Sequence, residues 1–437
     1  MTAATKTNGL RSGDRTSLVA ALRQPALDRF LGYVRVGTEA SRVSESTPTS
    51  PGQLVLARHI VDELRGLGLA CEDVDAYGHV YASMPGSSGY EGPGIGLVAH
   101  VDTSPDAPGG NVQPGLVRAY DGGTIARGHG SELDPASTPE LEMHVGHDLV
   151  TSDGATLLGT DDKAGIAEIV TAIEYLSRHP ELPRPAVKLA FTPDEEVGRG
   201  VRHFDLRRFG ADLAYTLDAP GLGDINDESF HGVELQVTFH GVAAHPGYAK
   251  HRMVNSVRLA ARLVEELRSV RGPEGSTGRE GYVHPFDVIG TTESTTVRIT
   301  CRDLDAARLE ASVQLVARAA ERIARSEPGA ALEIREHNRF ENMARHLQSS
   351  PALVETARAA LEAFGIAVRL GPIRGTTDGA RLSALGLPTP NIANGGHDFH
   401  ARTEWICVDD LALMSAVVVE LLGLWGLKGL RRPDNGN

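Results

Sequence analysis

Residues 97–105 read Leu-Val-Ala-His-Val-Asp-Thr-Ser-Pro, an apolar run that ends in two ionisable side chains one residue apart. Alternate side chains of an extended chain share a face, so His100 and Asp102 project together while Val101 packs the other way. A buried strand with such a tip needs a partner for it, and the pattern recurs along the chain. "AVKLAFTPDEEVGRG" reads as a buried strand breaking at Pro193 into a loop that carries Glu195 and Glu196. "ADLAYTLDAP" ends in Asp218, and Asp161 and Asp162 open a helix in "GTDDKAGIAEIVTAIEYL", where Ile166, Ile169, Val170, Ile173 and Leu176 make one stripe. Strands alternating with helices predict an α/β fold with a mostly parallel sheet, in which ligands collect at the carboxyl ends of the strands.

A chain of 437 residues is long enough for more than one hydrophobic core. Residues 1–24, rich in Thr, Ser, Gly and Ala without periodicity, read as a flexible N-terminal extension before a first helix in "ALDRFLGYVRV". Between Pro105 and Val150 strand and helix patterns both fail over a stretch too long for an ordinary connection, which marks a functional loop. Around Glu228 the texture changes. "HGVELQVTFHG" alternates like a half-exposed antiparallel strand, helical patterns follow over 254–267 and 304–323, and "TTVRITCRD" and "ALEIREH" add strands, together an inserted α+β domain. Past Phe340 the α/β rhythm resumes.

The charge balance, 43 Lys plus Arg against 57 Asp plus Glu, argues against nucleic acid or an anionic membrane surface as partner and suits cations. Cys71, Cys301 and Cys407 are dispersed without CxxC spacing, so neither a disulfide framework nor a thiolate metal site is expected, and a reducing cytoplasm fits. The first residues have no apolar core of the signal-peptide type, and "SAVVVELLGLWG" is short and carries Glu420, so no membrane span is expected.

His100 and Asp102, Asp161 and Asp162, Glu195 and Glu196, and Asp218 thus stand at strand ends or helix starts, and "NGGHDFHARTE" adds His397 and His400. This His/Asp/Glu mixture suits a catalytic divalent cation with an open position for water. The donors exceed what one zinc needs, whereas two cations roughly 3.5 to 4 Å apart and sharing a carboxylate would use them. His100 is then a ligand, with Asp102 orienting its other ring nitrogen. Singly, each group has a structural reading: a hydrogen-bonded His-Asp pair, a helix N-cap, a turn aspartate, a solvated acidic loop, a structural histidine. One shared site explains all of them with one assumption. A Rossmann-type dehydrogenase is disfavoured, because "GLG" at 221–223 lacks the GxGxxG spacing.

The segments "HVDTSPD", "LLGTDDKAGIAEI", "AFTPDEEVGRG" with "HFD", "AYTLD", "HPGYAK" with "MVN", and "PIRGTTDGA" before "GLPTPN" resemble, in this order, the M20 metallopeptidases, and among them those that release the N-terminal residue from tripeptides. The resemblance implies a di-metal hydrolase domain over 25–227 and 338–437 and a lid and dimerisation domain over 228–337. It implies His100 and Asp218 on one cation, Glu196 and His400 on the other, Asp161 bridging, and Glu195 as general base toward a water shared by both. The cofactors implied are two divalent cations per subunit, zinc before cobalt or manganese; the partners are small peptides and a second copy of the chain. His245 resembles a lid histidine that reaches the partner's site to stabilise the developing oxyanion, and Asn255, Arg302 and Arg374 match positions that bind the peptide. Read alone, His245 could anchor a turn and Arg302 could be an exposed strand charge. His397 stands where the family is expected to have tyrosine, and Thr376 where it usually has glycine. Related dipeptidase, carboxypeptidase and amide deacylase activities are the alternatives within the same chemistry, and a non-catalytic metal-binding homologue is disfavoured by the intact Glu195 and ligand positions.

Overall fold

The computed structural model describes residues 12–430 and divides into two compact units. The first runs up to Asp227 and includes His346–Gly371 and the chain from Thr377 on; the second comprises Glu228–Arg345 and Pro372–Thr376. The first is built on a sheet containing β1 (Val80–Met84), β2 (Ile95–His100), β3 (Val187–Thr192), β4 (Leu213–Ala219) and β5 (Asn391–Ala393). Its order is Ala70–Cys71, β1, β3, β2, β4, β5, Asp224–Ser229, Arg369–Ile373. Parallel pairing joins the four central strands, β3 to β2, β2 to β4 and β4 to β5, whereas β1 and Asp224–Ser229 pair antiparallel on either side. The sheet is therefore mixed, with its parallel character at the centre. Every residue of β2 is buried, as expected of a strand covered on both faces. His100 pairs with Thr192, so β2 and β3 leave the sheet at one level.

Three long helices of this unit pack on one another: α1 (Ser12–Val34), α2 (Thr160–Arg178) and α3 (Val408–Gly429). The expectation of a flexible extension over 1–24 is corrected here: residues 1–11 lie outside the described ones, and 12–24 form the first half of α1. Leu18, Leu22, Ala26 and Phe30 are buried at four-residue spacing, a stripe too sparse to stand out among the polar residues around it, and the helix continues through Pro25, which reads as a break. α3 is long and apolar enough to cross a membrane, yet most of it is buried within the fold. Its Glu420, 2 % exposed, takes a salt bridge from Arg15 of α1 at 2.9 Å.

The irregular passage after Pro105 contributes Gly115–Val117 and Leu149–Thr151 to a small antiparallel sheet with Gly396–His397 and Trp405–Cys407. Tyr120, Leu133, Leu141, Leu149 and Trp405 form its core. Strands of three residues carry too little periodicity to be read in sequence.

In the second unit the strands Tyr282–Gly290, Ser294–Asp303, His231–His240 and Ala331–Phe340 lie in that order in an antiparallel sheet. Val233, Leu235 and Val237 pair with Cys301, Ile299 and Val297, and this apolar face packs with Leu259, Leu263, Val313 and Val316 of the helices Ser256–Leu267 and Ala306–Arg325. The unit begins at Glu228 but extends past His337 to Arg345, because the last strand continues to Phe340, and it takes in Pro372–Thr376 as well.

Arg15→Ala leaves Glu420 buried without its cation. It should lower unfolding free energy by about 2 kcal/mol in urea titration, less than the ~3–5 kcal/mol of a fully buried pair because Arg15 is partly exposed, and adding Glu420→Leu should recover most of the loss.

Candidate metal centre

Each predicted donor in the first unit arrives from a different element. β2 delivers His100, whose Nε2 lies 2.8 Å from Asp161 Oδ1 and 3.7 Å from Asp218 Oδ1. His400 Nε2 lies 3.2 Å from Asp161 Oδ2 and 3.1 Å from Glu196 Oε2. Asp161 therefore turns one carboxylate oxygen to each histidine, with Asp218 on the His100 side and Glu196 on the His400 side. His100, Asp161 and Glu196 each offer a ligand atom within 4.8 Å of the others, as do His100, Asp162 and Asp218. All five residues predicted as ligands come together.

Asp162 has partners of its own. The Asp161–Asp162 peptide is cis, and Asp162 accepts from the His100 backbone N–H at 3.2 Å and from Asn394 Nδ2 at 3.0 Å. Gly165 keeps room for it, since a Cβ there would lie 2.4 Å from both Asp162 Oδ1 and the Leu217 carbonyl.

Asp102 does more than face His100, whose Nδ1 is 3.3 Å from Asp102 Oδ1 and 3.1 Å from the Asp102 carbonyl. Its two oxygens accept from the backbone N–H of Glu195 and Glu196 at 3.0 and 3.1 Å. The loop bends at Asp194, which is left-handed (φ 55°) and accepts from Thr49 N at 2.9 Å and Gln53 Nε2 at 2.8 Å. Two adjacent glutamates are thus held by their amides. The sequence reading missed several such anchors. Glu404 accepts from Leu158 N, Gly159 N, Thr160 Oγ1 and Asp161 N, fixing the start of α2. Asn391 holds Asp218 by both its N–H and its C=O, and Asp106 lies 3.1 Å from His400 Nδ1 as Asp102 lies beside His100. Buried Asp378 needs Gly200, where a Cβ would come within 2.2 Å of its Oδ1. Each sits inside or beside a segment noted above, and their polarity was the available signal.

Burial sets the electrostatics. Desolvation pushes Glu196 up to about 7 and Asp218 up to about 8, with the Asp161 charge next, and it raises Glu195 and Asp162 well above the carboxylate range. Burial also opposes ionisation of Asp161, but hydrogen bonds from His100 and His400 outweigh it and hold that carboxyl low. Glu196 Oε1 is buried without a hydrogen-bond partner. Carboxylates this close, facing imidazoles and one another, suit divalent cations better than protons.

The other predicted residues lie in the second unit. His245 is exposed and its Nδ1 accepts from Gly247 N at 3.1 Å. Asn255 caps Ser256–Leu267, its Oδ1 accepting from Val257 N and Arg258 N. Arg302 donates to the Arg374 carbonyl at 3.1 Å, and Arg374 donates to the Gly278 carbonyl at 2.9 Å; both guanidiniums lie over Tyr282. His397 does not join the donors around Asp161; its ring stacks on Trp405.

The family model "Peptidase family M20/M25/M40" matches residues 149–423. A peptidase T from Exiguobacterium sp. is 42 % identical over 398 residues, 91 % of this chain and 97 % of that protein. The chain belongs to the M20/M25/M40 peptidases. Its fold is that of the family: a tripeptidase from Staphylococcus aureus superposes with a TM-score of 0.72 at 20 % identity over 92 % of this chain and 98 % of the other. A dinuclear metal-binding M20 peptidase from Bacillus subtilis gives 0.61 at 16 % identity, over 94 % and 99 %.

The titrations have a definite sign. Glu196 and Asp218 rise from 4.5 and 3.8 to about 7 and about 8 on folding, so the stability they contribute is complete below the lower values and is lost as pH climbs through the upper ones. Asp161 acts oppositely but only in acid. Chelator-treated protein should therefore lose stability between about pH 5 and 8 in urea titrations, and saturating Zn2+ should remove most of the slope. A flat metal-free profile contradicts this.

Proposed function

We propose that the chain is a two-cation aminopeptidase that removes the N-terminal residue from tripeptides, with His100 and Asp218 on one cation, Glu196 and His400 on the other, and Asp161 between them. The observation that carries this reading is the Asp161 carboxylate, with one oxygen toward each histidine. Membership of the M20 family and 42 % identity to a peptidase T over nearly the whole chain favour this over dipeptidase, carboxypeptidase or deacylase activity. Zinc suits the donors best, and cobalt or manganese can use the same set.

When bound, the cations supply Lewis acidity toward the scissile carbonyl and toward a water. The chain's own residues supply the rest. Glu195, kept basic by desolvation and by the Asp218 charge, takes the attacking water's proton and delivers it to the leaving amine. Asp102 positions it through the backbone. His245, with Nδ1 already accepting from Gly247, carries its proton on Nε2, the tautomer required to donate to a developing oxyanion. Asn255, Arg302 and Arg374 bind the peptide, the arginines suiting a terminal carboxylate; the buried Arg302 Nε has no hydrogen-bond partner.

The second unit serves as lid and dimer contact in this reading. Its edge strand Tyr282–Gly290 exposes Phe286, Val288 and Ile289, which supports pairing with a second copy. The dispersed cysteines and the acidic charge balance support a cytoplasmic protein without nucleic-acid or membrane partners.

Glu195→Gln should keep its bound metal yet lose about 10²–10⁴-fold in kcat on tripeptides. N-acetylated tripeptides should survive the wild type, and wild-type turnover by the variant would remove Glu195 from its role. If His245 acts across a dimer, mixing inactive Glu195→Gln and His245→Ala proteins should restore activity that neither shows alone.

A further inference from the structure

A second group of donors lies where the passage after Pro105 meets the strands that flank His400. His144 ends the turn Pro139–His144, His397 ends the strand Gly396–His397, and Asp410 stands in the first turn of α3. One ligand atom from each lies within 4.8 Å of the other two, and His144 Nδ1 is 3.7 Å from Asp410 Oδ2. The residues are only 7, 9 and 8 % exposed. Both Asp410 Oδ2 and His397 Nε2 are buried without a hydrogen-bond partner, which buried polar atoms seldom tolerate.

The surroundings hold the imidazoles rigidly. The His397 ring stacks on Trp405 with centroids 4.1 Å apart and planes within 7°, and His144 meets the same indole edge-on at 5.1 Å. Burial drives His397 down to about 4, so at neutral pH it presents neutral nitrogens, as a metal ligand must. Wholly buried Glu168, both of whose oxygens are likewise without partners, is raised by burial and then by the charges of Asp162 and Asp410. The neighbouring trio His147, Cys407 and Asp409 differs: Asp409 is already neutralised by Arg23 at 2.6 Å and bonded to His147 at 2.7 Å.

We propose that His144, His397 and Asp410 bind one further divalent cation of the zinc type, separate from the pair held around Asp161. Two imidazoles and a carboxylate form a borderline donor set with a fourth position for water. Ligand bonds of about 2.0–2.2 Å put tetrahedral donors roughly 3.5 Å apart, close to the His144–Asp410 separation. The cation ties the passage after Pro105 to the segment that carries His400 and Glu404. It orders the frame of the reaction site without entering the reaction.

The test counts metal on the full-length protein. Chelator-stripped wild type, equilibrated with Zn2+ and desalted, should retain one equivalent more than Asp410→Asn or His397→Phe, the latter chosen to keep an aromatic ring on Trp405. Co2+ titration should quench Trp405 fluorescence in the wild type and in a His100→Ala/His400→Ala variant, but not in Asp410→Asn. Equal metal content in all three Zn2+ samples overturns the proposal, as does quenching unaffected by Asp410→Asn. Should the variants fail to fold, anomalous diffraction at the zinc edge from wild-type crystals decides: a peak between His144, His397 and Asp410 supports the site, and its absence there refutes it. Loss of the catalytic pair alone would lower the total but leave the difference at Asp410 intact.

Discussion

A carboxylate moved out of water must be given hydrogen bonds, a proton or a cation, and the first unit buries Asp102, Asp161, Asp162, Asp218, Glu168, Asp378 and Glu404, each within electrostatic reach of another. How each is compensated sorts them by role. Asp102 and Glu404 are satisfied largely by backbone N–H groups and act as clamps on the chain. Asp161 faces imidazoles, and Asp218 and Glu196 add to the same crowding. Protons relieve that arrangement in part, and divalent cations suit it better.

The clamps explain why a reaction site can be assembled from loops. Glu195 and Glu196 follow a left-handed residue just past β3, a place where chain direction would otherwise be loosely determined. Asp194 fastens the bend to Thr49 and Gln53 on one side, and Asp102 fastens the next two amides on the other. The strand end that provides His100 therefore also provides, two residues later, the anchor for Glu195 and Glu196. That is the physical content of the His-x-Asp spacing, and it exceeds the orienting contact to the ring that the spacing alone suggests.

As candidate donors His100, Glu196 and Asp218 were legible because each follows an apolar strand and Asp161 because it opens a helix, whereas the full ligand set, His400 included, is what the family resemblance implies. His100, Asp161, Glu196, Asp218 and His400 meet as expected, and the inserted unit begins at Glu228. The anchors were not legible, since Glu404, Asn391 and Asp106 are single polar residues whose partners lie far away in sequence. The first half of α1 was missed for a related reason: its buried stripe is one residue per turn wide, and its meaning depends on α2 and α3, against which it packs. The short strands after Pro105 have periodicity only in pairs. Long-range partners decide all of these.

Three acid doublets, Asp161–Asp162, Glu195–Glu196 and Asp409–Asp410, show what adjacency achieves. Where a strand ends or a helix starts, neighbouring side chains diverge, so one backbone position can serve two environments. Asp161 goes to the histidines and Asp162 to an amide and Asn394; Glu196 goes to His400; Asp409 goes to Arg23 and Asp410 to His144. Asp409 has its charge compensated by Arg23 and is shared with His147 as well. Asp161, Glu196 and Asp410 face imidazole with no arginine beside them, and a ring nitrogen offers a lone pair or a proton according to its protonation state. A cation placed between carboxylate and ring takes up the lone pairs of both, which is why a doublet member that faces imidazole without an arginine is where metal chemistry is to be sought.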